Sequence, residues 1–140
     1  MLSAVVPKFY GYYLPLDDDG NLMWSTHSAC SKECDVDWLS GLLLVEECGQ
    51  PIKRHELTTR QRYKCFWLYK RLHKAGFTQG SPHTRNILVQ AGPLWKARER
   101  RTMERPSFRL IDFGRGEAAL DSRKEAGREN IDAIITLGLY

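Results

Sequence analysis

The chain has 140 residues, 42% of them hydrophobic and 27% charged, with a net charge of +4 at neutral pH. That length holds one domain at most, and the apolar share suffices for a core, which excludes wholesale disorder. No run approaches the ~20 apolar residues of a membrane span, and the start MLSAVVPKFY lacks a positive region followed by a long apolar stretch, so neither a membrane segment nor a secretory signal is expected.

The basic residues gather at Lys96–Arg105, where Glu99 and Glu104 dilute them, and at Arg123–Arg128. No aromatic residues alternate with these charges as a nucleic-acid face would require, so they read as solvated loops. The cysteines are Cys30, Cys34, Cys48 and Cys65. Without a secretory signal they read as reduced thiols of an intracellular protein, cytoplasmic or nuclear. His27, Cys30 and Cys34 have a loose metal-ligand spacing, but no second pair follows and structural zinc takes four ligands, so no metal is expected there.

In chain order, residues 5–16 are β-branched and aromatic and run into Asp17-Asp18-Asp19-Gly20, which predicts a strand entering a turn. Residues 21–40 read as an irregular connection. Leu42–Val45 is a continuous apolar run, the pattern of a buried strand, and Gly49 and Pro51 end it. Residues 55–75 give the clearest helix, amphipathic through Tyr63, Phe66, Trp67, Leu68, Leu72 and Ala75 and stopped at Gly76. Gly80–Asn86 reads as a loop, Ile87–Val89 as a strand, 91–106 as a charged excursion, and Phe108–Ile111 as a further strand. Ile131, Ile134, Ile135 and Leu137 predict a final helix. The fold class that follows is α+β.

Two strings carry chemistry together: QGSPHTRNILV at Gln79–Val89 and RLIDFGRG at Arg109–Gly116. Asn86 offers an amide oxygen just before one strand, and Asp112 offers a carboxylate just after the next. If these strands pair as a hairpin, both oxygens converge at one end of it. Mg²⁺ takes hard oxygen ligands and is commonly held by one or two protein groups together with phosphates, so this pair suits a nucleotide-bound Mg²⁺.

On these motifs the chain resembles the protein-kinase-like superfamily, and within it the kinase-like proteins abundant in fungi. The resemblance implies a single incomplete domain over 1–140, with N-lobe strands and hinge at 5–50 and a partial helical C-lobe at 51–140. It implies that Gln79–Asn86 is the catalytic loop, nearest the His-Gly-Asp-x-His-x-x-Asn form, with His83 at its second histidine. Asn86 and Asp112 then take the two metal positions. Leu42–Pro51 resembles the last N-lobe strand and hinge. Val45 would be the gatekeeper, the Glu46 carbonyl and Cys48 amide would bond the adenine edge, and Leu88 would lie beneath the ring.

The departures weigh against efficient catalysis. The position of the proton-accepting aspartate is Ser81, whose hydroxyl has no accessible pKa near 7, and Gln79 stands where the motif opens with histidine. On the resemblance, the glycine-rich loop, its lysine and the partner glutamate would lie upstream of Val5. The segment Gly116–Asn130 is short for an activation segment, and no Ala-Pro-Glu follows. The expectation is a pseudokinase-like domain with at most weak Mg-ATP binding. It would act through a protein partner or self-association at exposed lobe surface, with nucleic acid and membrane not expected. An active phosphotransferase completed by further N-lobe, and a non-enzymatic protein-binding module, are the competing readings.

Overall fold

The computed structural model describes residues 4–16, 18–22, 41–118 and 123–140. His27, Cys30 and Cys34 lie outside them. The described chain is α+β: two helices and two small antiparallel sheets. It divides into two compact units, Lys8–Glu46 on one side and Met1–Pro7 with Glu47–Tyr140 on the other. Within the larger unit the Val5 carbonyl accepts from Leu110 N.

The smaller unit is a ribbon of β1 (Phe9–Tyr13) and β2 (Leu42–Val45), paired through Tyr12↔Leu43 and Tyr13↔Leu42. The strand at Leu42–Val45 forms as its composition predicts, but its expected burial does not: all four residues are exposed, Leu42 at 62%. Among the described residues of this unit two strands pair, and a two-stranded ribbon does not bury its apolar side chains by composition alone. Beyond β1, Leu16 and Leu22 bridge across the predicted turn.

The larger unit holds the core. Its sheet runs β3 (Gln50–Pro51), β4 (Ile87–Gly92), β5 (Thr102–Leu110), with β4 in the centre. Strand β5 begins well inside the stretch expected to be a charged loop. Thr102–Arg105 are exposed there, as an edge strand permits. Helix α1 (Thr59–Lys74) starts four residues later than the sequence predicts. Thr58 accepts from Gln61 N while Gln61 accepts from Thr58 N, a reciprocal cap that fixes the start.

The buried face of α1 is Cys65, Leu68, Tyr69 and Leu72, spaced at three and four residues. Tyr63 and Trp67, expected on the apolar stripe, are exposed. Helix α2 (Arg123–Leu137) begins earlier than its isoleucines suggest. Ile131 and Ile135 face outward, whereas Ala133 and Leu137 are fully buried. Core residues Ile52, Ile87, Phe108 and Leu110 from the sheet side meet these two helices. Arg62 on α1 donates to the carbonyls of Leu137 and Gly138, closing the C-terminus of α2.

Candidate functional site

The site is built where β4 begins and β5 ends. Ile87 pairs with Leu110, and Ile111 N donates to the Asn86 carbonyl at 3.0 Å, so Asn86 and Asp112 leave adjacent strand ends. The pairing follows from the sequence: two apolar runs, each followed or preceded by polar residues, bury Ile87, Phe108 and Leu110 in one core. Asn86 is buried, and its amide nitrogen donates to the Ser81 carbonyl at 2.9 Å. That bond fixes which end of the amide is which, the nitrogen being the end held by the loop.

Asp112 is exposed and has φ of +60°, the only non-glycine in the left-handed region among the described residues. For an L-residue this conformation costs about 1–2 kcal/mol, and Asp is among the residues that tolerate it. Strain of this kind persists only where surrounding bonds over-determine it. Gln79 supplies them: its amide nitrogen donates to the Ile111 carbonyl at 2.9 Å and the Asp112 carbonyl at 2.8 Å. Its amide oxygen accepts from Ser81 N at 3.0 Å. Gln79 is fully buried. The residue that departs from the motif's opening histidine thus ties the Ser81 loop to the Asp112 turn.

Gly80 follows with φ of +79°, and a Cβ there would stand 2.1 Å from the Arg115 carbonyl oxygen, so both backbone and space require glycine. The turn after Asp112 closes through Gly116 N to the Phe113 carbonyl. Thr78 N then donates to the Glu117 carbonyl, and Phe77 bridges Ala118, so the chain returns alongside the loop's entry.

Glu129, which the sequence reading did not single out, anchors the loop. It is 5% exposed, accepts from Gln79 N at 2.9 Å and from Gly80 N, and meets His73 Nε2 of α1 at 2.5 Å. A second tie comes from Thr136, whose hydroxyl donates to the Pro82 carbonyl at 2.6 Å. The signal for Glu129 was its spacing: it shares one face of α2 with Ala133 and Leu137, four and eight residues on.

The remaining expected site residues are distributed as follows. Ser81 is buried in the loop, and its carbonyl accepts from both Asn86 Nδ2 and His83 N. His83 is exposed and contributes its backbone to the loop, its carbonyl accepting from Asn86 N. Leu88 is half-buried on β4, and Cys48 is buried in the larger unit and outside any disulfide. Val45 and Glu46 belong to the smaller unit, where Glu46 N donates to the Lys8 carbonyl and its carboxylate accepts from Lys8 N.

Among the described residues no group of three or more His, Cys, Asp or Glu side chains gathers into a metal cluster. A nucleotide-borne Mg²⁺ does not need one, since phosphates and water supply most of its ligands. Asn86 and Asp112 carry hard oxygen donors of the kind Mg²⁺ takes, on adjacent strand ends. Among the described residues, no helix is long and apolar enough to cross a membrane. The chain matches no family model, no curated protein and no solved structure.

Proposed function

We propose that this chain is a protein-kinase-like domain that contacts a Mg-nucleotide weakly through Asn86 and Asp112 and is impaired in phosphoryl transfer. The observation that carries the reading is the placement of those two residues on adjacent strand ends, Ile111 N bonding to the Asn86 carbonyl. Support comes from the left-handed Asp112 and from the Gln79 and Asn86 side chains, which spend buried amide bonds on holding this loop and turn. Mg²⁺, when bound, would neutralise charge on phosphate oxygens.

The chain's own residues decide how far the chemistry goes. Asn86 and Asp112 would orient the cation. Ser81 occupies the position from which a carboxylate would accept the substrate hydroxyl proton, and its own hydroxyl cannot do so at neutral pH. General base catalysis is worth ~10²–10⁴-fold, so its loss leaves binding and positioning with little turnover.

Thermal unfolding with and without Mg-ATP tests the proposal. At nucleotide about tenfold above Kd, the stabilisation is about 1.4 kcal/mol, a few degrees in Tm. Asp112→Ala and Asn86→Ala should each abolish that shift, and wild type should transfer no measurable phosphate to added protein or small-molecule acceptors. Robust transfer that disappears in Asp112→Ala would refute the impairment. A Tm indifferent to Mg-ATP would refute the nucleotide contact and leave a non-enzymatic module.

A further inference from the structure

A groove of about 740 Å³ opens between α1 and β5, walled by Arg60, Lys64, Trp67, Leu68 and Arg71 of α1 and by Glu104, Arg105, Pro106 and Phe108 of β5. It uses none of the residues of the loop and turn described above. We infer that this groove is a docking site for a short acidic peptide segment carrying an apolar residue.

Charge is the first argument. Arg60, Lys64, Arg71 and Arg105 surround the groove against the single carboxylate of Glu104. The ion pairs among the described residues are Lys53–Glu56, His55–Glu56, His73–Glu129 and Arg98–Glu47, so Arg60, Lys64 and Arg105 are not neutralised by any of them. Arg60, Lys64 and Arg105 against one carboxylate leave a positive excess, which favours an anionic occupant.

Chemistry of the walls is the second argument. Trp67 is 59% exposed although it sits on the core-forming helix, and the half-buried Pro93 adds apolar surface beside it, with buried Leu68 and Pro106 behind. Exposed Trp and Arg together are the side chains that dominate peptide and protein recognition. A single-stranded nucleic acid would want successive stacking platforms. Trp67 is the one exposed aromatic in these walls, since Phe108 is buried in the core. The volume falls within the range of ligand clefts and admits a peptide segment rather than a folded domain.

Rigidity is the third argument. Gln61, held by its cap with Thr58, donates to the Met103 carbonyl at 3.2 Å and ties α1 to β5 across the groove end. A wall fixed in advance loses little entropy on binding.

Fluorescence anisotropy on the full chain, with a labelled peptide of Glu, Asp and Leu, tests the site. Its neutral counterpart (Gln, Asn and Leu) and a labelled single-stranded oligonucleotide serve as comparison probes. The acidic peptide should bind tightest and weaken with added salt. Arg60→Glu with Lys64→Glu should weaken it about tenfold or more, and Trp67→Ala should weaken it as well. Lys124→Glu, an exposed reversal on α2 outside the groove, should leave it unchanged, and circular dichroism verifies that each variant is folded. Equal affinity for the neutral peptide, tighter binding of the oligonucleotide, or equal loss in Lys124→Glu would each overturn the inference. Because the probes contain no nucleotide, failure here leaves the Mg-ATP reading standing, and the converse holds.

Discussion

Glu129 is the residue on which the loop geometry turns. A buried carboxylate is tolerable only when paired and hydrogen-bonded, and Glu129 has two backbone amides and an imidazole. Glu129→Gln keeps the shape and removes the charge; its amide oxygen can still accept from Gln79 N and Gly80 N, while its NH2 replaces the oxygen that meets His73 Nε2. Bonds to charged groups are worth about 1.5–3 kcal/mol each, more than the neutral bonds that replace them. The variant should lose about 2–3 kcal/mol in urea unfolding, and the Gln79 and Gly80 amides should exchange faster with solvent. A stability within about 0.5 kcal/mol of wild type would show that the anchor carries nothing. A second residue-scale effect concerns alkaline pH. Burial pushes the Cys65 thiol from 9.0 up to about 12 and raises the Tyr69 phenol above its ordinary 10.0, with the Glu129 charge adding to the latter. Both groups stay protonated when folded while the unfolded chain ionises, so the unfolded state binds fewer protons. Stability is therefore full below pH 9 and declines as pH rises from about 9 toward 12, at up to about 1.4 kcal/mol per pH unit per group. Tm followed from pH 8 to 11 should fall above 9, less steeply in Cys65→Ala after correction for its lower starting stability.

At the scale of elements, the start of α1 tests the capping account. Thr58 and Gln61 exchange bonds at 3.2 and 2.8 Å, and Gln61 also reaches Met103 on β5. Thr58→Ala should cost about 1 kcal/mol by chemical denaturation, while Thr58→Asn, another good capping residue, should cost little. A Thr58→Ala chain as stable as wild type would mean that tertiary packing alone sets the helix start. The helix body, the β4 and β5 strands and the approach of Asn86 to Asp112 were legible because apolar runs bounded by polar residues specify what must be buried. What was not legible depends on partners that no local pattern names. Thr102–Arg105 read as loop because an exposed edge strand carries the same charges as a loop. Glu129 was not singled out because a carboxylate enters a core only when donors three-dimensionally close, here the Gln79 and Gly80 amides, await it. The isoleucines of α2 misled for the complementary reason: Ile131 and Ile135 are apolar yet exposed.

At the scale of the whole molecule, the two units differ in how they are stabilised. The larger has a contiguous core from Ile52 to Leu137. Among its described residues the smaller has two strands whose Phe9, Tyr10, Tyr12, Tyr13, Leu42, Leu43 and Leu44 are all exposed. An isolated two-stranded ribbon is marginal in water, exposed apolar patches mark interaction surfaces, and open strand edges pair with other chains. Self-association through this ribbon is the outcome these conditions favour. In sedimentation velocity the weight-average mass should rise with concentration. Tyr12 and Leu43 are register partners, so Tyr12→Lys with Leu43→Glu replaces an apolar pair by an opposed ion pair that keeps the strands paired. That double variant should sediment as a monomer at concentrations where wild type does not. Wild type remaining monomeric throughout would mean that the ribbon's apolar surface recruits no second copy, and the double substitution would then leave the mass unchanged.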